Sequence, residues 1–187
     1  MFWIELLAAG LGVFSVYLMT AQKPLAWPIG FLMVVLYSWI FWQARLFSEM
    51  LLQLIYAALQ LYGWYQWLRG GVQKQQREVS SLPLPPIRLH LIIGLIISLT
   101  LGALMSNYTS ANLPWLDATL TGFSLVGQYW MAKKYLQCWS LWIVVDVIYI
   151  GMFSLAGLYL TAALYAVFTG LAVWGWLQWR TSLLAAS

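Results

Sequence analysis

The sequence predicts an all-α membrane protein of seven transmembrane helices, built as a 3+1+3 parallel repeat: two like-oriented triplets joined by one linker helix. Three observations predict it: composition, the length of the apolar runs, and an internal match at one constant spacing. Of 187 residues, 63% are hydrophobic and 7% charged, with mean hydropathy +0.80. An ordinary soluble domain has about 25% charged residues. A chain this apolar has too few polar groups to cover itself in water, and in lipid its backbone must satisfy itself as helices or as a closed barrel. The apolar runs are near 20 residues, the length of a spanning helix, and the alternation of barrel strands is absent.

Seven segments follow in order: 3–21, 26–44, 48–68, 89–106, 115–132, 138–156 and 158–179. The first reads as a retained span rather than a cleaved leader, because it lacks a basic n-region and opens with Phe2, Trp3 and Glu5. Between the third and fourth runs lies the one long polar stretch, residues 69–88, which reads as the flexible linker. The chain therefore divides into a first three-helix repeat, 1–68, a linker with helix four, 69–110, and a second three-helix repeat, 111–187.

Charge placement predicts orientation. Lys23, Arg69, Lys74, Arg77, Arg88, Lys133, Lys134 and Arg180 collect on one side of the membrane, and only Arg45 on the other. The basic side faces the cytoplasm by the positive-inside rule. The N-terminus is then outside and the C-terminus inside, as in a multi-pass protein of a bacterial cytoplasmic membrane. The net charge of +4 is explained by topology and needs no nucleic-acid partner. The lone Cys138 excludes an internal disulfide and offers no metal cluster, and His90, just after Pro85, Pro86 and Arg88, reads as interfacial.

The chain matches itself at an offset of 112 residues. Trp3 falls on Trp115, Glu5 on Asp117, Gly10 on Gly122, Tyr17 on Tyr129 and Met19 on Met131. Trp27 falls on Trp139, Tyr37 on Tyr149 and Phe41 on Phe153, and GWYQW at 63–67 lies over GWLQW at 175–179. No gap is needed through three spans. Span four has no partner, and one unmatched span between two triplets makes them point the same way. The sugar-carrying SWEET proteins are parallel-repeat transporters of this kind, with substrate held near the midplane.

An ionisable side chain deep in a span marks function by default. Asp146 is the one that lies deep; Glu5, Arg45, Glu49 and Asp117 sit near outer ends. Trp139, Trp142, Asp146 and Tyr149 are spaced three, four and three, so they share one helix face. Indole faces attract a flat cation, and the carboxylate balances its charge and accepts its hydrogen bonds. The alternative is that the tryptophans are membrane-belt residues and Asp146 bonds a neighbouring helix. At the repeat-equivalent positions stand Val34 and Gly30, so the scaffold itself does not require a carboxylate and an indole there. Span three offers a second stripe, Glu49, Gln53, Tyr56 and Gln60. Gln60 and Asp146 lie at similar depth, ~16 Å from the outer end at the helical rise. Buried amides need partners, either a ligand or another helix. Thr121, Ser124 and Gln128 form a weaker stripe that reads as helix packing.

These residues resemble the PnuC family of vitamin transporters over nearly the full chain. The segments that carry the resemblance are WPIG (27–30), LLQLIYAALQLYGWYQW (51–67), WSLWIVVD (139–146) and GLYLTAALYAVF (157–168). The resemblance implies a SWEET-like 3+1+3 fold with its own helix order, and a homotrimer. It implies uptake of nicotinamide riboside, with related members taking thiamine or riboflavin, by facilitated diffusion that a cytoplasmic kinase completes through phosphorylation. The family's WxxWxxxN/D motif lands on Trp139, Trp142 and Asp146, and its glutamine helix on Gln53 and Gln60. Members that carry nicotinamide riboside have Asn where this chain has Asp146, which leaves the choice of vitamin open.

Other classes fit less well. A retinal protein needs a Schiff-base lysine in the last span, and all four lysines, Lys23, Lys74, Lys133 and Lys134, fall in loops. An enzyme would want a nucleophile–base pair or a metal cluster at depth. A vitamin-binding subunit of an ATP-driven system remains a remote alternative. No phosphate-cradling glycine motif and no cofactor are expected, so transport should run downhill.

Overall fold

The structure is a computed structural model, and it describes residues 2–43, 47–71, 73, 75–108, 113–155, 157 and 159–186. Arg45 and the side chain of Glu49 lie outside the described residues. Seven helices follow in order: α1 Phe2–Thr20, α2 Ala26–Gln43, α3 Phe47–Arg69, α4 Leu84–Tyr108, α5 Pro114–Ala132, α6 Gln137–Leu155 and α7 Tyr159–Ala186. Within α1, Trp3–Thr20 is long and apolar enough to cross a membrane, as are α4 and α6.

The helix limits repeat at the spacing the sequence shows. Adding 112 to the limits of α1 gives those of α5, and adding it to the start of α3 gives the start of α7. The turns repeat as well. After α1, Lys23 N donates to Leu18 O at 2.9 Å; after α5, Tyr135 N donates to Trp130 O at 3.0 Å. Trp27 N donates to Pro24 O at 3.2 Å, and Trp139 N to Leu136 O at 3.3 Å. Both turns place a non-glycine residue in the left-handed region, Gln22 with φ 54° and Lys134 with φ 51°. Such a residue satisfies the last carbonyls of a helix while reversing the chain.

Two departures from the sequence expectation have physical causes. Helix α4 begins at Leu84, five residues before the expected limit, because Pro85 and Pro86 fall in its first turn. Proline is tolerated there, since those amides have no intrahelical acceptor anyway. Nor is the stretch 69–88 a free linker. Arg77 donates to Gly70 O at 2.9 Å and to Lys133 O at 3.2 Å. Ser80 pairs with Tyr135 as an isolated parallel bridge, and Gln137 accepts from Leu82 N at 3.0 Å and donates to Leu82 O at 3.0 Å. The polar residues that read as linker composition serve instead to tie the strap to the α5–α6 turn.

Contacts divide the described chain into two compact units. One comprises Met1–Glu78, Ala132–Lys134 and Trp174–Ser187; the other comprises Val79–Met131 and Tyr135–Val173. In the first unit, α1 packs on α2 and α2 on α3. The α2–α3 contact is reciprocal: Trp27 of α2 lies against Gly63 of α3, and Gln60 of α3 lies against Gly30 of α2. Each glycine leaves the room that the opposing large side chain fills. In the second unit, α4 presents Gly94, Ser98 and Gly102, all buried and four apart, to α5. A Cβ on Gly94 would meet Val126 at 3.0 Å, and Gly102 faces the Trp115 ring. With no hydrophobic drive between helices in lipid, close backbone approach through small residues supplies the packing.

Candidate functional site

Helix α6 contributes the main stripe. Asp146 is 4% exposed and Trp139 1%. Neither faces lipid, so Trp139 is not a membrane-belt anchor. Among the described residues, no hydrogen bond or ion pair to the Asp146 carboxylate is found. Trp142 is half-buried, and its indole covers Gly127 of α5, where a Cβ would lie 3.2 Å from Trp142 Cε2. Gly127 therefore sets how closely this indole lies on α5.

One turn beyond Asp146, Tyr149 starts an aromatic group. Its ring centroid is 5.7 Å from Phe153, nearly parallel, and 4.6 Å from Tyr165 of α7. Phe153 and Tyr165 are 5.3 Å apart, and Tyr165 meets Phe168 edge-on at 5.8 Å. Trp139, Trp142, Asp146 and Tyr149 thus stand on one face of one helix in one unit, as their spacing requires.

The expected glutamines belong to α3, in the other unit. Gln60 is 6% exposed, lies over Gly30, and its Oε1 has no hydrogen-bond donor. A buried amide oxygen with no donor is a group that wants a partner. Gln53 is half-buried on the same helix, and so is Tyr56. On α5, Ser124 and Gln128 are buried at 4% and 7%, and Thr121 is half-buried.

His90 is half-buried and accepts from Trp130 Nε1 at 2.9 Å through Nδ1. With Ile93, Ile97, Leu125, Val126 and Tyr129 it lines a groove of about 350 Å³, and none of the expected site residues borders it. Lys134 and Trp27 were not among the site residues expected from the sequence. Lys134 is 5% exposed although it stands in a turn, and Trp27 is fully buried with its Nε1 unsatisfied. The signal that could have found Trp27 was its match to Trp139. Nothing in the spacing separates Lys134 from Lys133.

A helical membrane protein that keeps one buried carboxylate on a stripe with indoles and a phenol is arranged as a membrane transporter of small solutes. The family model described as nicotinamide mononucleotide transporter matches residues 2–181, and the chain belongs to that family. It is 28% identical to the nicotinamide riboside transporter PnuC of Escherichia coli (strain K12), covering 96% of this chain and 86% of that protein. It is 25% identical to the riboflavin/roseoflavin transporter RibM of Streptomyces davaonensis, covering 95% and 84%. A crystal structure of the vitamin B3 transporter PnuC superposes with a TM-score of 0.78 at 23% identity, covering 99% of this chain and 83% of that one. That last likeness speaks for the fold alone.

Proposed function

We propose that the chain admits nicotinamide riboside across a bacterial inner membrane by alternating access, and that a cytoplasmic kinase traps it by phosphorylation. The observation that carries this reading is Asp146, 4% exposed on the face that also holds Trp139, Trp142 and Tyr149. The pyridinium ring of nicotinamide riboside is flat and positively charged. Trp139 and Trp142 stack on it, Asp146 balances its charge, and Tyr149 closes the outer side. Gln53 and Gln60 bond the ribose hydroxyls or the amide.

The two triplets are taken as parallel, SWEET-like repeats with α4 between them, the N-terminus outside and the C-terminus inside, and three copies assembling as a homotrimer. The recurrence of the α1 limits in α5 supports this arrangement. Among the described residues no second carboxylate, lysine, arginine or histidine stands on the stripe, which supports a downhill carrier.

Thiamine is the second reading. Asp146 favours it, because a carboxylate stands where the family resemblance places a neutral amide in nicotinamide riboside carriers, and thiamine also bears a cationic ring. A neutral flavin gives this carboxylate nothing to balance. Calorimetric titration of the purified protein with nicotinamide riboside, thiamine and riboflavin in parallel decides among them. Tight binding of riboflavin alone overturns the cation reading. Co-purification of an ATPase would instead favour the vitamin-binding subunit of an ATP-driven system. Proteoliposomes that concentrated unphosphorylated substrate under a proton gradient would overturn downhill transport.

A further inference from the structure

The strap before α4 is tied to the start of α6, and one glutamine makes most of the tie. Gln137 opens α6, and its side-chain amide grips the backbone of Leu82 twice. Its Oε1 accepts from Leu82 N at 3.0 Å, and its Nε2 donates to Leu82 O at 3.0 Å. The same Nε2 donates to Ser81 Oγ at 2.9 Å. A fourth bond runs between backbones, from Leu136 N to Ser80 O at 2.9 Å. Val79 and Leu82 of the strap are buried. All these residues belong to the unit that also holds Asp146.

The turn itself does not need this clamp. At the offset of 112 residues Gln137 falls on Leu25, whose side chain is 58% exposed and has no amide to offer. That turn closes with the same backbone bonds: Ala26 N donates to Lys23 O at 3.0 Å, as Cys138 N does to Tyr135 O at 3.0 Å. The clamp is therefore an addition, made on the triplet that carries Asp146. Nor is it a strong tie. Ser80 and Tyr135 form a single isolated bridge, and a lone two-stranded pairing is marginal in water. The amide bonds lie at half-buried or exposed positions, and each contributes little net stability. The residues that follow are packed tightly. Cys138 and Trp139 are 0% and 1% exposed, and Cys138 Sγ lies 3.8 Å from Met131 Sδ. A weak clamp thus holds the head of a helix whose first turn is fully buried. Elements that open in function are drawn from such low-stability regions.

We propose that Gln137 is a positioning residue for the cargo stripe and that its grip on Leu82 is a latch. Closed, the latch fixes the end of α6 nearest the basic loops, and with it the level of Trp139, Trp142 and Asp146. Open, it frees that end, admits water to the turn at Cys138 and Trp139, and lets cargo leave. Gln137 acts through the first turn of α6 and does not touch cargo. This rests on the reading that the α6 stripe holds the cargo.

Cys138 is the one cysteine of the chain, so a thiol reagent reports on this turn without an engineered site. The test follows its reaction with a charged maleimide in detergent, for wild type, Gln137→Leu and Gln137→Glu. Leucine is the residue of the equivalent turn; glutamate keeps the acceptor for Leu82 N and loses both donations. Gln137→Leu should react about 10-fold faster than wild type, as the net loss of one or two hydrogen bonds implies, with Gln137→Glu in between. Gln137→Glu carries the test should Gln137→Leu fail to fold. In proteoliposomes, efflux of nicotinamide riboside should be faster in Gln137→Leu at unchanged calorimetric affinity, whereas damage to the fold would lower both. Equal labelling rates in all three proteins overturn the latch, and so does faster labelling with slower efflux. Should the cargo reading alone fail, none of the proteins carries nicotinamide riboside, yet their labelling rates still fall in the expected order.

Discussion

The two triplets share their turns and differ in their chemistry. Tyr37 and Tyr149, Trp27 and Trp139, and Trp67 and Trp179 are the same residue at equivalent positions. Val34 and Asp146 are both buried, at 2% and 4%, yet one is apolar and the other acidic. Gly30 stands where the second triplet has Trp142, and Gln60 where it has Ala172. The bulk on the α2-type and α3-type helices is thus exchanged: small facing large polar in the first triplet, large aromatic with small in the second. The proposed ligand is itself asymmetric and needs only one carboxylate. On that reading a chain whose sequence repeats can still hold a one-sided site.

Substitutions at paired positions can break this comparison. Asp146→Ala should weaken calorimetric affinity for the cargo about 10- to 100-fold, since hydrogen bonds to a charged group contribute roughly 1.5–3 kcal/mol. The same truncation at its mate, Val34→Ala, should lower thermal stability but leave affinity unchanged. Equal affinity loss in both would mean that burial rather than charge governs the site.

Next come the glycines. A Cβ on Gly122 would run into Ser98 Oγ and Gly94 O of α4, whereas one on its mate Gly10 would meet nothing within 4 Å. Gly122→Ala should cost about 1–3 kcal/mol as overpacking. Gly10→Ala should be neutral or stabilise by up to about 1 kcal/mol through helix propensity. Thermal unfolding in detergent reads both, and similar shifts would contradict the unequal packing.

Trp142→Leu should reduce affinity by up to about 10-fold, the loss of roughly 1 kcal/mol of cation–π attraction. The equivalent Gly30→Ala, whose Cβ meets only the movable end of Gln60 at 2.7 Å, should change affinity less.

The smallest expected effect is at the turns. The Lys134 ammonium is pushed down to about 8 from 10.5 by burial. Between those values the unfolded chain holds a proton that the folded one has released, so stability rises with pH across that window. Lys134→Met should lose this rise, and Gln22→Met should keep it. Thermal midpoints at pH 7.5 and 9.5 measure the difference.

The helices were legible because in lipid each must be a continuous apolar run, and the repeat doubled every signal. The stripe of Trp139, Trp142, Asp146 and Tyr149 was legible because helical spacing alone puts those residues on one face. What was not legible lay in turns and straps. Lys134 and Lys133 are adjacent and identical in type, and only the backbone at φ 51° and the position of Trp67 decide which of them is buried. The strap at 75–83 has a loop's composition, and its order comes from backbone groups of Ser80 and Leu82, which composition does not report. The start of α4 was masked by two prolines that end a helix everywhere except in its first turn.

The shared limits of α1 and α5 have a consequence for how such a chain can change. Adding a single residue within a helix turns everything after it by about 100° and advances it by about 1.5 Å. In the first triplet, an insertion between Trp27 and Gly30 would swing one out of line with the other. Trp27 would then lose Gly63, or Gly30 would lose Gln60. The two triplets carry different side chains on one spacing that holds from Trp3 and Trp115 to Trp67 and Trp179, as two keys cut differently from the same blank.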